Sequence, residues 1–341
     1  MATTNYGIAK SIKQMKRIKK NKIRRLKKIK SQQKKVCSEY VQTIKDKFQL
    51  DQKMELSSNF AITAGVCDIG GRTYQEDEMG SIILDNKLQI CFLADGHGGK
   101  EASDIIKRDF INLLLSKIDL LKITDREYIQ HICQTTIDEL HEKISDTSGT
   151  TFVFSICFSD GRVLIGNVGD SRAYIFKDNL IKFITTDHDP ANPIEKERVE
   201  ARGGFVSVHD CARVNGTLAV SRYIGDKCFE PDHECDFTWF ESEEVDIILL
   251  VSDGVSDYFR SINSGEKRKE LYNEGKRVTI PMLHEILEPF GNEEIRKIAS
   301  KWISAYGYNK QTVKGITDEL IYRSKVYPDN LTAIATILKH K

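Results

Sequence analysis

Short apolar runs separated by turn residues begin near residue 60 and continue almost to the end of the chain. SIIL-DNK-LQICFLA reads as strand, turn, strand. So do TTFVFSICF-SDG-RVLIGNV, with Asp160-Gly161 in its turn, and RAYIF-KDN-LIKFIT. Asx-rich connections of two or three residues between β-rich runs predict antiparallel hairpins, because a parallel pair needs a crossover too long to fit there. Helical blocks lie between these strands. KEASDIIKRDFINLLLSKI carries Ile105, Ile106, Phe110, Leu113 and Leu114 on one side, and further helices are predicted over 126–145, 192–202, 281–305 and 311–325. Hairpins with segregated helices predict an α+β fold of packed antiparallel sheets with helices outside.

The 341 residues, 40% of them hydrophobic, suffice for one large domain or two small ones with a real core. The formal net charge of +1 hides an uneven distribution. Residues 1–38 contain fourteen Lys and Arg and no Asp or Glu, which leaves the remainder strongly acidic. In the basic segment Ile12, Met15, Ile18, Ile23, Leu26 and Ile29 fall at loosely helical intervals. It is suited to importin, an anionic membrane surface or nucleic acid, or it is simply a solvated extension. No apolar run reaches the roughly 20 residues of a membrane span, no apolar segment follows the basic one as in a secretory signal, and Ala2 excludes myristoylation. Eight cysteines without a C-x-x-C pair read as reduced thiols of a cytoplasmic and/or nuclear protein, and make zinc a poor fit.

The chemistry is concentrated at strand ends. FLADGHGG runs an apolar strand into Asp95-Gly96-His97, and IILLVSDGVSD runs another into Asp253-Gly254. Asp329 precedes a third apolar run, and Glu76 and Asp77 precede GSIIL. Carboxylates that converge raise one another's pKa values and stay ionised together only with cations between them. All-oxygen donors suit Mg²⁺ or Mn²⁺, and Gly96 would let its backbone approach such an ion. Two bridged ions activate water for in-line displacement at phosphorus, Arg72 would grip the phosphate, and His97 would protonate the leaving alkoxide.

In their order and spacing, GRTYQEDE, FLADGHGG, SGTTFVFSI, NVGDSRAYI, TTDHDPANPIEKERVEARGGFV, RVNGTLAVSRYIGD, LLVSDGVSD and PDNLTAIATIL resemble the blocks of the metal-dependent Ser/Thr protein phosphatases (PPM, protein phosphatase 2C) over about residues 60–340. The resemblance implies a central antiparallel β-sandwich flanked by helices on both faces, a four-layer αββα arrangement with two metal ions at one end. It implies that Asp95 bridges both ions, that the Gly96 carbonyl binds one, and that Asp253 and Asp329 bind the other. Glu76 and Asp77 would hold metal-bound waters, Arg72 the substrate phosphate, and His97 would be the general acid. Asp170 matches a carboxylate that, with Asp253, holds a weaker third ion in some members. The implied activity is hydrolysis of phosphoserine and phosphothreonine in phosphorylated proteins by metal-activated water, without a covalent intermediate. Arg198, Arg202 and Arg222 lie in a block near the substrate flap, either facing phosphopeptides or serving as structural ion-pair partners.

The chain departs from the family pattern at Gln75, where Asn is common, and at Ser256, where Trp is common. The 226–244 connection is compact, and 260–327 is longer than in most members and reads as added helices. The expected organisation is a basic extension over 1–55, partly helical or disordered, then a phosphatase domain over 56–341 with a helical insertion at about 260–327. Nothing in the sequence demands more than a monomer.

Three other readings compete. CDIGGR has four residues between Cys67 and Arg72, where the cysteine-phosphatase loop needs five. GHGGKE has Ala94 at the first P-loop glycine position and no Ser or Thr after Lys100. A catalytically silent phosphoprotein-binding relative should have lost a metal acid, Arg72 or His97, and all are present.

Overall fold

The computed structural model describes residues 53–144, 147–208, 211–229, 232–262, 264–274 and 280–339. The basic segment therefore lies outside the described residues. Lys53–Ser57 forms a strand that crosses the expected boundary at 56.

Two antiparallel sheets form the centre. One has the order β1 (Lys53–Ser57), β2 (Ala61–Asp68), β15 (Leu331–Leu338), β14 (Ile247–Val251), β8 (Arg172–Lys177), β9 (Leu180–Ile184). The other runs β12 (Ile224–Gly225), β5 (Gly149–Thr150), β4 (Leu88–His97), β6 (Phe152–Phe158), β7 (Val163–Val168), β13 (Asp236–Phe240), with β3 (Asp77–Leu84) on the free side of β4, while β10 (Val206–Val208) and β11 (Ala212–Val214) pair apart from both. The three expected hairpins are β3–β4, β6–β7 and β8–β9. Asp85 and Asn86 in the first turn, and Asp178 and Asn179 in the third, all have positive φ, the conformation that two-residue hairpin turns demand and Asx residues tolerate. β13, in the compact 226–244 connection, adds an edge strand that the sequence pattern did not announce.

The central strands are apolar without alternation because both their faces are covered. Cys91 and Leu93 of β4 meet Ile248 and Leu250 of β14 and Ile334 of β15 between the sheets. Ile90 and Phe92 face outward instead, against α1 (Glu101–Lys117) and α2 (Arg126–Lys143), where Phe92, Phe110 and Phe152 pack edge to face or tilted. On the opposite side Ile247, Leu249 and Val251 meet α4 (Asp253–Ser261), α6 (Ile280–Tyr306) and α7 (Lys310–Ser324), with the short α5 (Ser264–Asn273) after α4. The result is the expected four-layer αββα sandwich. Asp125 caps α2 through the Tyr128 amide at 3.1 Å, and Asn309 caps α7 through the Gln311 amide at 2.8 Å. α3 (Pro193–Ala201) starts with Asn192 as cap and Pro193 in its first turn. Helix α4 was not expected from the sequence. It begins at Asp253 itself.

Candidate metal and phosphate site

One end of the sandwich gathers the acidic strand ends. Asp77 opens β3 and is directly opposite Asp95 near the end of β4. From the other sheet, Thr332 of β15 donates its hydroxyl to Asp77 Oδ2 at 2.8 Å. Asn330 ties the loops together, its Oδ1 accepting from the Glu76 amide at 2.9 Å and its Nδ2 donating to the Ile69 and Tyr74 carbonyls. Glu76 is buried, with Oε1 accepting from the Gly99 amide at 2.7 Å. A Cβ on Gly96 would lie 2.8 Å from the Glu76 carbonyl oxygen, so this glycine is required first by the approach of two backbones. Thr151 brackets Asp95 by accepting from its amide and donating to its carbonyl, and Thr151 Oγ1 lies 2.7 Å from Ser171 Oγ, next to Asp170.

These carboxylates perturb one another. Asp95 and Asp253 keep some accessible surface, but protein crowds them so closely that lost hydration is the largest influence on each and holds both well above the usual carboxylate range. For Asp95 the charges of Asp77 and Asp253 come next; for Asp253, those of Asp170, Asp257 and Asp329. Burial pushes Asp77 up to about 6 despite the Thr332 hydrogen bond. It pushes Asp170 up to about 7, with Asp187 and Asp257 adding repulsion. Asp257, one helical turn beyond Asp253 on α4, thus belongs to the same cluster. Sequence reasoning missed it because it follows from the unexpected helix; the i, i+4 spacing in DGVSD was the available signal.

Arg72 and Asp329 meet at 2.8 Å, and the Arg72 Nε donates to the Pro328 carbonyl at 3.1 Å. The Arg72 side chain remains 44% exposed at the rim, within 3.9 Å of Glu76. His97 follows Asp95 by two residues, so both project to one side of β4. Its Nε2 is buried with no hydrogen-bond partner among the described residues, 3.7 Å from Asp226 Oδ2, and its ring meets Tyr223 edge to face. Asp226, also missed in the sequence, is buried and holds φ at 41°, a strained position of the kind that collects at functional sites. Gly149 makes room for the imidazole: a Cβ there would fall 2.4 Å from His97 Nε2.

The donor set fits a hard divalent cation. Asp77 Oδ1 is buried without a partner among the described residues, the neighbouring acids are all carboxylates, and the thiol nearby is inert. Burial and Asp77 push Cys67 up to about 12, and it accepts a hydrogen bond from Gln75 and lies 3.2 Å from the Thr332 hydroxyl, so it is no thiolate nucleophile. Among the described residues no group of three or more His, Cys, Asp or Glu side chains is already arranged to hold a metal ion. Ser256 is buried and its hydroxyl returns to the Asp253 carbonyl, so this departure leaves the site acids untouched. Arg198, Arg202 and Arg222 are all ion-paired. Arg198 meets Asp232 and Glu234 at 2.6 Å, Arg202 meets Asp232 at 3.2 Å, and buried Arg222 joins Glu195 and Asp236.

Residues 75–263 match the family model described as protein phosphatase 2C. The probable protein phosphatase 2C 71 of Arabidopsis thaliana is 32% identical over 219 residues, which cover 62% of this chain and 47% of that protein. The probable protein phosphatase 2C 54 of Oryza sativa subsp. japonica is 29% identical over 306 residues, covering 83% and 75%. The chain spans about half the length of several of the curated relatives it matches. In fold it is similar to a phosphatase from Toxoplasma gondii, with a TM-score of 0.63, 18% identity and coverage of 85% of this chain and 96% of that one. With more than half its length matched by the family model and the same sandwich in its structural relatives, this chain belongs to the protein phosphatase 2C family.

Proposed function

We propose that this chain is a Mg²⁺- or Mn²⁺-dependent phosphatase that hydrolyses phosphoserine and phosphothreonine in proteins without a covalent intermediate. The observation that carries the reading is the crowding of Asp77, Asp95, Asp170 and Asp253 until each resists ionisation, beside an arginine still open at the rim. Asp95, the Gly96 carbonyl, Asp253 and Asp329 would hold two ions, Glu76 and Asp77 their waters, and Asp170 with Asp253 a weaker third. When bound, the ions supply Lewis-acid activation of water and neutralise charge developing at phosphorus.

The remaining work falls to side chains. Arg72 binds the phosphate through its guanidinium fork, held toward the acids by Asp329 and the Pro328 carbonyl. His97 donates the proton that the leaving seryl or threonyl oxygen needs, with Asp226 Oδ2 3.7 Å from its Nε2. Phosphorylated proteins are the substrates. A cytoplasmic and/or nuclear setting is supported by the seven described cysteines, all unpaired.

Phosphate release from a phosphothreonine peptide tests this, run with Mn²⁺ or Mg²⁺, with EDTA, and with Asp253→Asn. Metal-dependent release lost in the variant supports the reading. A folded, metal-loaded protein that releases nothing overturns it in favour of a phosphoprotein-binding role.

A further inference from the structure

The segment between Asp253 and Asp329 does more than cover one sheet. Helix α4 carries Asp253, Asp257 and Arg260 along one side, and Arg260 pairs with Asp257. Helix α6 crosses at this point. A Cβ on its Gly291 would lie 2.9 Å from the Arg260 amide nitrogen, so the two helices touch backbone to backbone. One turn before Gly291, Glu288 reaches Arg260 Nη1 at 3.3 Å and Arg172 Nη2 at 3.2 Å, and it also pairs with Arg172 Nη1. Asn292 steadies it through a 3.0 Å bond to Oε1. Arg172, with only 8% of its side chain exposed, clamps Asp187 through two bonds of 2.8 and 2.6 Å. The sequence Asp187, Arg172, Glu288, Arg260, Asp257 is thus an unbroken ionic chain. One of its ends repels Asp170, and the other repels Asp170 and Asp253.

We infer that Glu288 is a positioning residue for the metal-binding acids: it shares Arg260 with Asp257 and Arg172 with Asp187, and so keeps those arginines from drawing the two aspartates off the cluster. The inference rests on the metal-dependent reading above. Glu288 touches neither substrate nor the bridging acid Asp95. Its influence passes through its charge and through the two guanidinium forks it orients. With Glu288 neutral, Arg260 has Asp257 as its remaining ion-pair partner among the described residues, and the site gains net positive character. Both changes weaken attraction for a cation.

The test is a calorimetric Mn²⁺ titration of the full chain, wild type against Glu288→Gln, with kinetics on a phosphothreonine peptide at saturating Mn²⁺. The Mn²⁺ concentration for half-saturation should rise about tenfold, as loss of an outer partner of metal ligands commonly produces. Glu288→Asp should recover part of the affinity, while KM for the peptide stays at its wild-type value. An unchanged isotherm in Glu288→Gln, with or without a lower melting temperature, makes Glu288 merely structural and overturns the inference alone. A wild-type protein that binds no Mn²⁺ overturns the phosphatase reading with it. Should Glu288→Gln fail to fold, Asn292→Ala loosens Glu288 while keeping every charge. It should shift the isotherm in the same direction by less, and no shift overturns the inference.

Discussion

Thr332 on one sheet donates its hydroxyl to Asp77 Oδ2 on the other at 2.8 Å, while Asp77 Oδ1 has no partner among the described residues. This bond spans 255 residues of chain and joins the sheets where the acids gather. Thr332→Val keeps the shape and removes the donor. It should destabilise the metal-free protein by about 1–3 kcal/mol, the usual cost of leaving a buried polar group unsatisfied. A lower urea midpoint at unchanged slope checks this.

Asp253→Asn should move activity and stability in opposite directions. Turnover of a phosphothreonine peptide should fall to background, because an acid assigned to the ions is gone. In EDTA the variant should melt higher than wild type, because one member of a repelling cluster is neutral. Each kcal/mol gained corresponds to roughly 2–4 °C for a domain of this size class. A variant that melts lower in EDTA would show that the acids do not repel as the geometry requires.

His97→Ala should slow hydrolysis by about 10²–10⁴-fold for a seryl phosphate, and far less for an aryl phosphate whose leaving group needs no proton. Gly149→Ala should reproduce part of that leaving-group dependence, since its methyl would occupy the space of the imidazole. Equal losses on alkyl and aryl phosphates would remove His97 from the acid role.

The metal-free protein should lose stability as pH rises. Burial lifts Asp77 to about 6 and Asp170 to about 7 in the fold, against an ordinary value of 3.8. The folded state then binds more protons than the unfolded chain over that window, so the contribution is complete below about 4 and disappears as pH passes through 6 and 7. Thermal melts in EDTA between pH 5 and 8 check the sign, and saturating Mn²⁺ at pH 7.5 should reverse the loss.

The legible parts of the sequence were those set by local rules. The Asx turns at 85–86 and 178–179 and the apolar faces of the helices over 101–117 and 126–143 depend on backbone conformation and side-chain period, which neighbouring residues determine. Helix α4 escaped because its first residues also read as the end of a strand in a turn, and β13 because a short edge strand leaves little pattern. Asp226 escaped because only the pairing of β12 with β5 carries the chain to His97.

By itself the sequence determined most element types, the hairpins and the acids placed at strand ends, since each follows from spacing within a few residues. Only the tertiary structure decided that Asp95 stands opposite Asp77, that Thr332 closes onto that pair from the other sheet, and that Glu288 reaches Arg172 across 116 residues. The physical reason is that such contacts arise from strand register and from the packing of layers. Chain remote in sequence is brought together there by burial of apolar faces that carry no label of their partner.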